Sequence, residues 1–227
     1  MSNASSFNFD KYAGRYQQDL TASIPASLAE GDYFAKYKVR HVSRRMLSQE
    51  VKNFLDFGCG IGYSLSAASH EFPNTELWGY DVSKECIALA RERTGMARLT
   101  NKIEELPSFN FEVVFIANVF HHVPVSERIT VLKQCRNLLR KNGRIFLFEH
   151  NPLNPLTRCV FDRCPFDKGA VMLHKRDTLA LARDAGLRTI RYDYTLFFPR
   201  QLWFLRPFEP LLRWLPLGAQ YCVEMTA

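Results

Sequence analysis

The stretch FLDFGCGIG, residues 54–62, decides the fold of this chain. Val51, Phe54, Leu55 and Phe57 make a short apolar run broken by one acid, Asp56, and glycines follow at 58, 60 and 62 before a helical pattern starts at Tyr63. The pattern predicts a buried strand, a tight turn and a helix N-terminus. Glycine suits such a turn because it visits positive φ and lets a ligand approach the backbone with no Cβ in the way. A second strand, Glu76 to Asp81, ends in an acid about twenty residues further on, a spacing that suits recognition of ribose hydroxyls.

A dinucleotide-binding turn reads G-x-G-x-x-G, whereas the glycines here run G-x-G-x-G behind Asp56. D-x-G-x-G-x-G followed by a strand ending in Asp resembles the cofactor site of class I S-adenosylmethionine (SAM)-dependent methyltransferases, and the chain is similar to the small-molecule members of the ubiquinone and menaquinone biosynthesis group. The match is good over roughly residues 50 to 150. It implies an α/β, Rossmann-like, doubly wound sheet of seven strands with the last antiparallel, and SAM as cofactor with S-adenosylhomocysteine as product. It further implies that Asp56, Gly58, Cys59, Gly60 and Gly62 lie beside the methionine half and that Asp81, followed by Val82, takes the ribose. Family members place an acid where this chain has Lys102, so the adenine edge is left to the backbone at Ile103. An F-x-x-Y-A-x-x-Y helix lies over the pocket in similar enzymes, which makes Tyr16 a lid residue and residues 1–48 a helical lid on a SAM-binding domain spanning 49–227.

A length of 227 residues suits one α/β domain. The opening MSNASSFNF has neither a basic n-region nor an apolar h-region, so a cytoplasmic protein is expected. Six cysteines form no C-x-x-C pair, and no histidines cluster at zinc spacing, so neither a metal nor a disulfide framework is expected. The formal charge is +7, with Lys36, Lys38, Arg40, Arg44 and Arg45 inside ten residues. Such a run suits phosphate or an anionic membrane surface, or is a solvated face.

The remaining elements follow in order. A helix is expected from an N-cap at Asp32, with Phe34, Tyr37, His41 and Val42 available to cover the site. Ser83 caps KECIALARERTG, and a weak strand spans 97–100. FEVVFIANVFHHV is a strand buried on both faces that ends at Asn118. Asn118 to His122 then face the transferred methyl at the point where the strand order reverses, and His121 and His122 become candidates for proton removal or acceptor orientation. A helix over 126–141 ending at Asn142-Gly143, a strand over 143–150, a helix in HKRDTLALARDAG and two final strands complete the pattern. No Asn/Asp-Pro-Pro-aromatic motif follows the fourth strand, which weighs against base methylation.

Residues 196–217 hold three arginines and four prolines among six aromatic side chains. They predict two short amphipathic pieces that line an apolar pocket, touch a membrane face or form a homodimer interface. The expected partner is a small apolar or amphiphilic acceptor, such as a lipid-linked compound, with nucleic acid disfavoured. An RNA-directed methyltransferase and a non-catalytic SAM-binding protein are the alternatives.

Overall fold

A computed structural model of the protein describes residues 32–227. The segment with Tyr16 lies outside the described residues. Helix α1 (Tyr33–Met46) leads into β1 (Asn53–Phe57), α2 (Tyr63–Glu71), β2 (Glu76–Tyr80), α3 (Lys84–Thr94) and β3 (Arg98–Thr100). After β4 (Phe111–Ala117) come α4 (Arg128–Leu138), β5 (Leu139–His150), α5 (Pro155–Arg163) and α6 (Lys175–Asp184). The chain ends with β6 (Arg188–Thr195), the short α7 (Glu209–Leu212) and β7 (Gln220–Thr226). The seven strands form one sheet in the order 3-2-1-4-5-7-6, and β7 is antiparallel to both neighbours. This is the expected doubly wound fold, and the chain reverses direction across the sheet between β1 and β4.

Alternation within buried strands divides the core. Leu55, Val114 and Ile116 pack under Leu132 and Cys135 of α4 and Ala182 of α6, while Phe54, Val113 and Phe115 pack under Val39, Val42 and Met46 of α1 and Ala67 and Ala68 of α2. Each strand has an apolar residue for both sides because helices cover both faces. Val42 and His41 are therefore core residues, with the His41 ring edge-on to Phe148, and not a cover for the site. Asp32 makes no side-chain cap; it pairs with Lys36 at 2.7 Å.

The basic run of α1 is in part a solvated charged face: Lys36, Arg40 and Arg44, four residues apart, are exposed. Lys38 is buried, Arg40 bonds Glu71 at 3.1 Å and Arg45 pairs with Asp193. The face that meets the core buries Lys38 and holds Arg45 against Asp193, while the opposite face stays in water.

The turn from α4 into β5 comes earlier than the sequence suggests. The carbonyls of Asn137 and Leu138 accept from Phe109 and Asn110 N–H, so the segment before β4 caps the helix end. Leu139 is then already paired with Phe111 across an irregular register. Gly143 fits because a Cβ there would lie 2.5 Å from the Phe111 carbonyl oxygen.

Candidate functional site

The glycine turn sits on the end of β1 and is tied to β2. Gly58 N–H and Cys59 N–H both donate to the Tyr80 carbonyl, at 2.7 and 2.9 Å, and Gly62 N–H donates to Cys59 O at 3.0 Å. Gly60 N–H donates to Asp81 Oδ2 at 2.8 Å, and Asp81 Oδ1 accepts from Ser83 N–H at 2.9 Å. The turn's own amides are thus largely committed inside the protein. Gly58, Gly60 and Gly62 have φ of 81°, 51° and 86°, which a side chain would strain. A Cβ on Gly58 would strike Val119 at 2.4 Å, whereas one on Gly60 would meet nothing within 4 Å. Gly60 therefore lies against open space. Ser83 caps α3 as expected, accepting from Cys86 N–H at 3.1 Å.

Beneath the turn, two buried oxygens have no hydrogen-bond partner: Asp56 Oδ2 at the end of β1 and Asn118 Oδ1 just past β4. Asn118 has φ 58°, a left-handed conformation that asparagine tolerates better than most residues. Burial, followed by the charge of Asp81, pushes the Asp56 carboxyl up to about 8, with Lys38 opposing. Burial also brings Lys38 down to about 8 against the pull of Glu149 and Asp56. Lys38 joins the two halves of the site electrostatically. No sequence signal marks it apart from a lysine on the apolar stripe of a helix. Val82 is exposed beside Asp81, Cys59 is buried, and Ile103 opens a short 3-10 turn whose carbonyl accepts from Leu106 N–H at 3.1 Å.

The second half of the site lies at the ends of β4 and β5. Glu149, fully buried, accepts from Phe120 N–H and from His121 Nδ1, both at 2.7 Å. His121 Nε2 lies 3.2 Å and His122 Nε2 3.4 Å from Asp167 Oδ1. The His121 ring is 4.0 Å from that of His122 and 5.2 Å from that of His150, centre to centre. Burial works against a charge on His121, but the Glu149 carboxylate, followed by Asp167, outweighs it and pushes the imidazole up to about 9. Burial and then the His121 charge push His122 down to about 3 and His150 to about 4.

The structure therefore brings the two expected histidines together and adds three residues that sequence reasoning missed: Glu149, His150 and Asp167. Glu149 and His150 are the last two residues of a strand, and that position was their available signal. Asp167 stands in the irregular stretch after α5 and carried none.

The segment 196–217 folds as a 3-10 stretch over Arg200–Phe208, kinked at Leu202, followed by α7. Its polarity is inverted from the expected amphipathic pieces. Glu209 is buried and accepts from Phe197 and Phe198 N–H, each at 3.1 Å. Arg206 stacks over the Tyr33 ring at 3.8 Å, while Trp203, Phe204, Phe208, Leu211, Trp214 and Leu217 are exposed. Among the described residues no helix is long and apolar enough to cross a membrane.

Residues 55–145 match a methyltransferase domain. The chain is 25% identical over 118 residues to the demethylmenaquinone methyltransferase of Thermotoga maritima, covering 51% of each protein. It is 25% identical over 141 residues to the malonyl-[acyl-carrier protein] O-methyltransferase of Bacillus cytotoxicus, covering 57% of this chain and 49% of the relative. The chain thus spans about half the length of these two curated relatives. A SAM-dependent methyltransferase structure from Thermotoga maritima superposes with a TM-score of 0.65 at 18% identity, covering 97% of this chain and 98% of that one. The domain match over residues 55–145 and the sheet order together support a class I SAM-dependent methyltransferase.

Proposed function

We propose that the protein transfers a methyl group from SAM to an oxygen, nitrogen or carbon nucleophile on a small apolar or amphiphilic acceptor. The observation that carries this reading is the pair of unpartnered buried oxygens, Asp56 Oδ2 and Asn118 Oδ1, under a glycine turn pinned by Asp81. Buried oxygens of this kind fit a ligand that brings donors, and the methionine ammonium and ribose hydroxyls of SAM are donors. In this reading Asp56 and Asn118 hold the methionine half against Gly58, Cys59, Gly60 and Gly62. Asp81 takes the ribose, with Val82 and the Ile103 backbone at the base.

When bound, SAM supplies a methyl already activated by its sulfonium. The chain's own work is then alignment, worth as much as about 7 to 11 kcal/mol when the geometry is good. His121 and His122 stand at the acceptor end, where they orient the nucleophile and manage its proton. The exposed aromatic face of residues 202–217 supports an acceptor with an apolar chain, such as a lipid-linked compound met at a membrane surface. The quinone name of one relative agrees with a small acceptor.

Two measurements test the reading. Calorimetry with S-adenosylhomocysteine is expected to show binding that Asp81→Ala weakens by roughly 30- to 150-fold, the value of about 2 to 3 kcal/mol for hydrogen bonds to a charged group. Unchanged affinity in that variant, or preference for NAD, would overturn the assignment. Labelled methyl from SAM is then offered to lipid, small-molecule and RNA fractions of a cell extract. Label in the RNA fraction alone would replace the small acceptor with a nucleic acid.

A further inference from the structure

His121, His150 and Asp167 come from three separate stretches of the chain: the loop after β4, the last residue of β5 and the short 3-10 turn after α5. Each presents one ligand atom, and the three atoms lie within 4.8 Å of one another. We propose that this trio is a binding site for one divalent transition-metal ion of the zinc type.

The donor set carries the identity. Two imidazole nitrogens and a carboxylate oxygen suit Zn²⁺ and its first-row neighbours, and fit poorly to Ca²⁺ or Mg²⁺, which prefer all-oxygen shells. The surroundings carry the rest. Glu149 accepts from His121 Nδ1 at 2.7 Å and thereby presents Nε2 to the cluster, the carboxylate–histidine arrangement that orients metal-bound imidazoles. Glu149 is itself fixed by Phe120 N–H. Asp167 Oδ1 is within reach of both His121 and His122. Three protein ligands leave one position of a tetrahedral ion for an oxygen from outside the chain, the pattern of reactive rather than structural zinc.

Metal binding here stands on side-chain placement alone. Only its use, polarising an acceptor oxygen, rests on the methyl-transfer reading. The lack of any zinc-like spacing in the sequence is no obstacle, because the ligands meet only in the folded sheet.

The test uses the full, untagged chain stripped with a chelator and titrated with Zn²⁺ alone, without SAM. One equivalent per chain is expected, and Co²⁺ in its place should give the intense visible bands of a tetrahedral site. His150→Gln and Asp167→Asn are each expected to weaken Zn²⁺ binding about 100-fold or more, and Glu149→Gln by about 10- to 100-fold. His70→Gln and His174→Gln, at histidines outside the trio, should leave it unchanged. Melting curves and S-adenosylhomocysteine binding report whether each variant is folded and keep this outcome separate from failure of the cofactor reading. Less than a tenth of an equivalent bound by the wild type would overturn the proposal. So would unchanged affinity in folded His150→Gln and Asp167→Asn, or loss of binding in the His70 or His174 variant. If the trio variants do not fold, the wild-type stoichiometry and the Co²⁺ spectrum decide.

Discussion

The two halves of the site bury charge in opposite ways. Under the glycine turn, Asp56 at the end of β1 and Asn118 just past β4 each hold a buried oxygen that no protein group meets. Around β4 and β5, Glu149 is met by a backbone N–H and an imidazole, and Asp167 by two imidazoles. An unmet buried polar atom costs stability until a ligand meets it, whereas a closed network supports itself. The first half leaves two oxygens open, and the second is held in shape by its own contacts even without an ion.

The sharpest way to break this contrast is to remove one acid from each half. Glu149→Ala strands the His121 imidazole and the Phe120 N–H, so unfolding stability should drop by about 3 to 5 kcal/mol. Asp56→Asn removes a buried carboxylate whose Oδ2 has no partner, so denaturation should show a change of no more than about 1 kcal/mol, with stabilisation a natural result. Comparable losses in the two variants would erase the distinction.

A smaller effect asks whether burial alone makes a charge cluster structural. His41 is on the buried side of α1, with the charges of Arg44 and Arg45 of its own helix, Arg191 and Asp193 of β6, and Arg213 around it. Asp193 is 3.5 Å away but is already paired with Arg45. Burial, then the arginine charges, push the imidazole from 6.5 down to about 3. The folded state therefore holds it neutral while the unfolded state takes up a proton below about pH 6.5. Stability from this group is full above that pH and falls by about 1.4 kcal/mol per unit as the pH drops toward 3. Urea unfolding between pH 6 and 5 should give a slope in His41→Gln that differs from the wild type by about this 1.4 kcal/mol per unit, with His122, His150 and Asp56 contributing equally to both. Equal slopes would mean that the buried imidazole finds a partner when charged.

The smallest effect on stability is expected at the exposed face. Trp203 is 67% exposed, so Trp203→Glu should change stability by no more than about 0.5 kcal/mol yet abolish flotation with lipid vesicles. If the wild type ignores vesicles and sediments as a dimer that this variant dissociates, the face joins two copies of the chain and the lipid-linked acceptor loses its support.

Sequence alone determined the sheet and the glycine turn with the acid beside it. The apolar run of β1 and the glycines at 58, 60 and 62 follow from local rules: burial on both faces makes strands apolar, and positive φ favours glycine. Those rules act over a few residues, so they are legible without a fold. The cluster at the ends of β4 and β5 was only half legible. The position of β4 in the pattern pointed to His121 and His122, but their partners Glu149, His150 and Asp167 are joined to them by sheet register and by the loop after α5, which no local period records. The same is true of Lys38, read as one charge in a basic run until packing buried it where the charges of Glu149 and Asp56 act on it. Residues 196–217 show the reverse: composition announced an apolar segment, but only the fold decided that its glutamate turns inward and its tryptophans outward. The backbone N–H groups of Phe197 and Phe198 need an acceptor, and Glu209 is the one that reaches them.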